Sequence, residues 1–203
     1  VRFEAALRRP RAIDHNVSVI RNIEIQPGLN LLSADLRLTK PVLVESQTFP
    51  AVCLSVVLDG YAEGRTTALE TGFRPGEVWI SSTNDRVETC KIVMPTHAVR
   101  TVELVVTPQW FDYAEARFGD DPAFDGMRRA LEHTTTTRRR TLDAKLRQIA
   151  WAIQNPPGSG AVTALYLESR ALDLMASLLA EFQGNDAPHP ANLNSQALDR
   201  IMA

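Results

Sequence analysis

The chain has 203 residues, 44% of them hydrophobic and 23% charged, with a formal net charge of -2. This composition supports one sizeable hydrophobic core and excludes the strong basic balance of a self-sufficient nucleic-acid binder. No run reaches the roughly 18 continuous apolar residues of a membrane-spanning helix.

In chain order, Val1 to Asp14 matches no recognisable pattern, and its Arg8-Arg9-Pro10-Arg11 run reads as a solvated basic segment. From Val17 to Val106 the pattern is that of strands. Short β-prone runs cover 17–20, 29–38, 42–46, 52–58, 77–81, 87–93 and 99–106. Turn signals separate them at Pro27-Gly28, Lys40-Pro41, Asp59-Gly60, Pro75-Gly76, Asn84-Asp85 and Met94-Pro95. Val52, Leu54, Val56 and Leu58 fall on one face, as do Val102, Leu104 and Val106. Regular short strands of this kind predict an antiparallel sandwich or barrel, and about eight of them fit a jelly roll. Cys53 and Cys90 lie in apolar strand-like runs and read as small buried hydrophobes, consistent with a reducing cytoplasm.

After Val106 the period changes. Thr107-Pro108 is a cap followed by proline at the first helical position and opens a helix over 109–118. Asp121-Pro122 repeats the device for a helix over 123–132. Residues 134–137 are polar and helix-poor, and Arg138-Arg139-Arg140 reads as a solvated face. Leu142, Leu146, Ile149, Ala150 and Ile153 then recur at helical spacing over 142–154, with Trp151 off that stripe. Asn155-Pro156-Pro157-Gly158 stops this helix, and a long one starts at Ser159 or Gly160. Joined by so short a turn, the two helices should pack as an antiparallel hairpin. The long helix has an unusually wide apolar face, with Leu165, Leu172, Met175, Leu179 and Phe182 along one edge and Leu167, Leu174 and Leu178 along the next. The helix reads either as a central one buried wholly in its own domain, or as one with one edge on the home domain and the Leu165 edge as the seam with a second protomer. Glu168 falls inside the apolar face and reads as an exposed end residue. Residues 183–190 form a Pro/Gly linker. Asn194 then caps a helix start, with Leu193 and Leu198 placed as a hydrophobic staple.

Catalytic signatures are sparse. The histidines are His15, His97, His133 and His189, with no His-x-His pair, and His97 reads as a turn residue. The sequence has no Gly-x-Ser-x-Gly, no phosphate-cradling glycine loop and no Cys-x-x-Cys. The expectation is therefore a binding protein: not an enzyme, with no metal and no cofactor.

A β-rich half, two helices, a Pro/Gly linker and a helix start follow one another in that order. The segment Leu165-Tyr-Leu-Glu-Ser-Arg-Ala-Leu-Asp-Leu-Met-Ala-Ser-Leu-Leu179 resembles the last regulatory-domain helix of AraC/XylS-type bacterial transcription regulators. Val102-Glu-Leu-Val-Val-Thr-Pro-Gln-Trp-Phe111 resembles their final strand and first helix, and Leu198-Asp-Arg-Ile-Met-Ala203 the opening of their DNA-binding domain. The likeness is closest to the branch that includes siderophore-responsive activators. It implies an α+β domain: a cupin-like β-barrel (jelly roll) over 1–106 that binds a small effector, followed by a helical hairpin dimerisation region over 107–183. A linker over 184–194 and a truncated start of a DNA-binding domain over 195–203 complete the expected organisation. The implied partners are a small-molecule effector, in that branch a siderophore-like compound, and a second copy of the chain. DNA would be bound only through the missing C-terminal domain, in the cytoplasm. The alternatives are a cupin-type metal-dependent enzyme and a dimerisation module without ligand.

Ligand candidates are the large or charged side chains set in strands and turns of the β-rich half: Trp79 first, then Tyr61, Arg37, Arg100 and Glu103.

Overall fold

The computed structural model describes residues 18–47, 49–65, 70–84, 89–94, 98–132 and 136–183. All four histidines, the Asn194 cap and the helix start over 195–203 lie outside the described residues.

The strands are β1 (Val19–Gln26), β2 (Leu29–Arg37), β3 (Val42–Gln47), β4 (Ala51–Asp59), β5 (Ala62–Arg65), β6 (Glu70–Phe73), β7 (Glu77–Thr83), β8 (Thr89–Met94) and β9 (Ala98–Val106). Then follow α1 (Pro108–Phe118), a 3-10 turn (Pro122–Phe124), α2 (Asp125–Glu132), β10 (Thr136–Thr141), α3 (Ala144–Gln154) and α4 (Gly160–Gln183). The strands form two antiparallel sheets, a six-stranded one in the order β1-β2-β9-β4-β7-β10 and a four-stranded one in the order β3-β8-β5-β6. The way β2 to β9 divide between the sheets is the strand order of a double-sheet jelly roll. The expected barrel, however, is not closed. Among the described residues no ladder joins the two sheets, and β1 and β10 occupy the edges of the larger one where such pairing would have to occur.

Strand alternation decides where the core lies. Leu29, Leu31, Val52, Leu54, Val56, Val78, Ile80, Val102, Leu104 and Val106 point to one face of the large sheet and form a single cluster with residues of all four helices. α1 contributes Trp110, Phe111 and Ala114, α2 Met127, α3 Leu146, Ile149, Ala150 and Ile153, and α4 Leu167, Ala171, Leu174, Met175 and Leu178. The main core therefore lies between sheet and helices rather than between the sheets. A smaller cluster of Leu36, Leu38, Val42, Met94 and Val99 plugs one end of the space between the sheets.

Local chemistry sets the joints. Gly28 turns β1 into β2 at φ +77, and a Cβ there would fall 2.4 Å from the Trp110 backbone nitrogen, so only glycine fits. Thr107 occupies the expected N-cap position of α1, but its hydroxyl makes no cap bond and donates instead to the Gly28 carbonyl at 3.2 Å. α3 begins at Ala144, two residues later than the apolar spacing predicts, because the Asp143 carboxylate accepts from the Leu146 N–H at 2.8 Å. This bond and the neighbouring Arg140 hold the Asp143 carboxyl below its ordinary range. At the other end of α3, buried Gln154 donates from Nε2 to the Ala34 carbonyl at 3.0 Å and the Thr101 carbonyl at 2.8 Å, tying the helix to β2 and β9.

Gln154→Met keeps the volume and removes both bonds. It should lower stability by about 1–3 kcal/mol, at about 0.5–1.5 per bond, measured as the shift of a urea unfolding midpoint.

Candidate functional site

The second face of the large sheet looks toward the small sheet. Register places one row of residues across it: Arg139 on β10 opposite Trp79 on β7, Trp79 opposite Ser55 on β4, Ser55 opposite Glu103 on β9, and Glu103 opposite Leu32 on β2. The neighbouring row brings Ser81, Cys53 and Val105 together. The small sheet adds Phe73, whose ring meets the Trp79 ring edge-on with centroids 4.9 Å apart. The result is a polar strip, Glu103, Ser55, Cys53 and Ser81, bordered by two aromatic rings and by the apolar plug.

Glu103 and Cys53 are half-buried in this strip. Burial raises the Glu103 carboxyl above its ordinary range, and no hydrogen bond or cation among the described residues counters it. The Cys53 thiol is pushed up to about 12 by burial and by the Glu103 charge, against a hydrogen bond with Ser81 that lowers it. A thiol so placed stays protonated and is a weak polar group rather than a nucleophile. The strip is thus suited to hydrogen-bonding a ligand, with Glu103 as its strongest acceptor when ionised.

Trp79 is held by its neighbours. Its Nε1 donates to Glu77 Oε2 at 3.1 Å, and the same oxygen accepts from the Arg74 N–H at 3.1 Å. The other Glu77 oxygen lies 3.4 Å from Arg139 Nη1, and the Arg139 guanidinium sits over the Trp79 ring at 5.5 Å.

The five candidates divide among three surfaces. Trp79 and Glu103 share the inner row. Arg100 lies on the helix side of the sheet, where its Nε donates to Asp35 Oδ2 at 3.0 Å and its guanidinium covers the Trp151 ring at 5.3 Å, fastening β9 to β2 and α3. Arg37 is on that same side, 3.9 Å from Asp35 Oδ1. Tyr61 lies on the far face of the small sheet, over Gly72, and its hydroxyl donates to Glu63 Oε1 at 2.9 Å. This bond raises the phenol above its ordinary range. The sequence does not distinguish Phe73, Glu77, Arg139, Ser55 or Ser81 as site residues, and reads Cys53 as a core residue. Cys53 and Ser55 carry a signal nonetheless, as the polar alternates of Val52, Leu54 and Val56.

α4 divides as well. Met175 faces the chain's own core, Leu179 and Phe182 pack half-buried against it, and Leu165 and Leu172 stay 67% and 40% exposed. Val162, 62% exposed, extends the outer stripe. No group of three or more His, Cys, Asp or Glu able to hold a metal ion occurs among the described residues. No helix among them is long and apolar enough to cross a membrane.

Comparison with known proteins adds the following. A family model described as the regulatory protein PchR N-terminal domain matches residues 15–194. No curated protein matches the sequence. Among solved structures, the chain is similar to the AraC-like transcriptional activator CuxR at 12% identity, covering 80% of this chain and 55% of that one with a TM-score of 0.43. It is similar to the cupin domain of Schizosaccharomyces pombe Cnp3 at 12% identity, covering 51% of this chain and 74% of that one, TM-score 0.38. It is similar to the Escherichia coli pirin YhhW, solved with nickel(II), at 12% identity, covering 58% of this chain and 43% of that one, TM-score 0.40. The chain thus spans about half the length of CuxR and less than half of the pirin. At these scores the structural likenesses carry no functional argument.

The raised Glu103 carboxyl makes a pH prediction. Below about pH 4 the group is neutral in both folded and unfolded chains. As pH rises through the folded pKa, the unfolded chain ionises more readily, so stability is lost. Glu103→Gln removes that loss. Its unfolding midpoint relative to the parent should therefore rise between about pH 4 and pH 7, whereas a pH-independent difference contradicts the assignment.

Proposed function

The chain belongs to the family of PchR N-terminal regulatory domains, which places it among AraC-type transcription regulators, and from that premise we propose that it senses a small molecule and dimerises. The effector occupies the space between the sheets, against Trp79 and Glu103. The observation that carries this reading is the half-buried Glu103 in one cross-sheet row with Ser55 and Trp79, whose ring meets that of Phe73, since small-molecule sites are concave, largely apolar and equipped with few polar groups. A siderophore-like compound is the first effector class to test. The domain binds rather than catalyses and acts in the cytoplasm, with DNA contacted by another part of the full regulator.

Dimerisation uses the outer stripe of α4. Leu165, Leu172 and Leu179 recur every seven residues, with the small Ser169 and Ala176 alongside. This is the spacing of a seam between two helices, and a second copy presents the same stripe. Met175, expected in that seam, instead serves the home core.

Two measurements test the reading. A melting panel of ferric siderophores, sugars, aromatic acids and divalent metals should give a rise with one organic class, because a ligand of the folded state stabilises by mass action. Trp79→Ala should abolish that rise, and a rise with metal alone supports a metal-dependent enzyme instead. Leu172→Asp places its charge in water in the monomer and in an apolar seam in the dimer. It should leave the monomer's melting temperature nearly unchanged while shifting the sedimentation equilibrium to monomer. A folded Asp variant that still dimerises rules this face out.

A further inference from the structure

β10 is an edge strand of unusual composition, Thr-Thr-Arg-Arg-Arg-Thr. Its alternation sends consecutive arginines to opposite faces of the large sheet. Arg139 faces the inner row, over the Trp79 ring and beside Glu77. Arg138 and Arg140 face the helices, and both reach the last turn of α4. The Arg138 guanidinium covers the Phe182 ring at 5.0 Å, and Arg140 Nε lies 2.8 Å from Glu181 Oε1. Phe182 is confined from its other side by α2, where a Cβ on Gly126 would stand 2.9 Å from both the Phe182 Cβ and its carbonyl oxygen. Arg140 also bonds Asp143, the cap of α3, at 2.9 Å.

These contacts suit a link between the two surfaces. α4 has no basic residue in its last turn, so the β10 arginines supply the positive charge that the carboxyl end of a helix favours. Among the described residues β10 pairs on one side only, with β7. An edge strand is free to shift laterally in a way that a central strand is not. From the end of α4 the chain continues into residues 184–203.

We propose that β10 couples the space between the sheets to the end of α4: whatever rearranges Arg139 at Trp79 and Glu77 alters how Arg138 and Arg140 hold Phe182 and Glu181. This rests on the reading that the effector binds beside Trp79. A ligand switches the protein only by favouring one arrangement over another, and here the two arrangements are β10 engaged with, or displaced from, Glu77 and Trp79.

The coupling is testable without the effector, by amide hydrogen exchange on the intact chain. In Arg139→Ala, which truncates an exposed side chain, exchange at residues 179–183 should accelerate several-fold while residues 162–167 at the start of α4 are unchanged. Trp79→Ala should do the same. In an Arg138→Ala/Arg140→Ala background the Arg139 effect should vanish, since the link is already broken. Unchanged exchange at 179–183 in Arg139→Ala, or an undiminished effect in the double background, overturns the coupling. A panel compound that raises the melting temperature yet leaves 179–183 unmoved also overturns it, while leaving the sensor reading intact. Coupling seen in the variants, with no stabilising compound in the panel, counts against the sensor reading alone.

Discussion

The four helices cover one face of the six-stranded sheet and leave the other face to the small sheet. That one-sided burial governs the rest of the molecule. Val52, Leu54 and Val56 go to the helices, so Cys53 and Ser55 must go the other way, and β9 divides in step into Val102, Leu104 and Val106 against Thr101, Glu103 and Val105. Stability is supplied on the helix side, where truncating a buried leucine such as Leu174 typically costs about 2–5 kcal/mol. The inner face is thereby relieved of making a continuous core. It can carry a carboxylate with no cation beside it among the described residues, a feature that weakens a folded state and is kept mainly where it has a use.

The same parity explains which parts of the site were legible in the sequence. Glu103, Arg100 and Arg37 look alike there, each a charge interrupting an apolar run. Only register against the core separates them. Glu103 falls in step with Ser55 and Trp79, whereas Arg100 falls in step with Asp35 and ends on the α3 side over Trp151. Trp79 was legible as a large ring in a short strand, but its edge-on contact with Phe73 depends on β6. Strands β5 and β6 contain Gly64 and Gly72, which weaken a strand pattern. Their geometry is supported by rings lying over glycines, Phe73 over Gly64 and Tyr61 over Gly72, and such contacts exist only once the strands have paired.

The central strands β2, β4, β7 and β9 and the helices were readable because apolar period and Pro/Gly punctuation agree along them. β10 was not, although its threonines are β-branched. Its three arginines read as a solvated run because, Asp143 beside Arg140 apart, their partners come from distant segments: Phe182, Glu77 with Trp79, and Glu181. For α4 the width of the apolar face was legible and its allocation was not. Met175 lies on the wheel between the buried Leu178 and the exposed Leu172, and only the position of the sheet assigns it to the core.

A close-packed core transmits a change only by switching between discrete packings, and the cluster joining the large sheet to α1–α4 is buried and continuous. A signal from between the sheets has a less costly route around the edge of the large sheet than through its middle. β1 forms one edge, and its Ile23 and Ile25 pack against that same core cluster. β10 forms the other, held to β7 by its ladder and to the helices largely by charged and cation–π contacts at their ends. Such partly exposed charged contacts contribute less than apolar core packing and can be exchanged without opening the core. In this architecture the strong, apolar interactions hold the fold, and the weaker, charged ones at the β10 edge are where the proposed ligand would have enough energy to intervene.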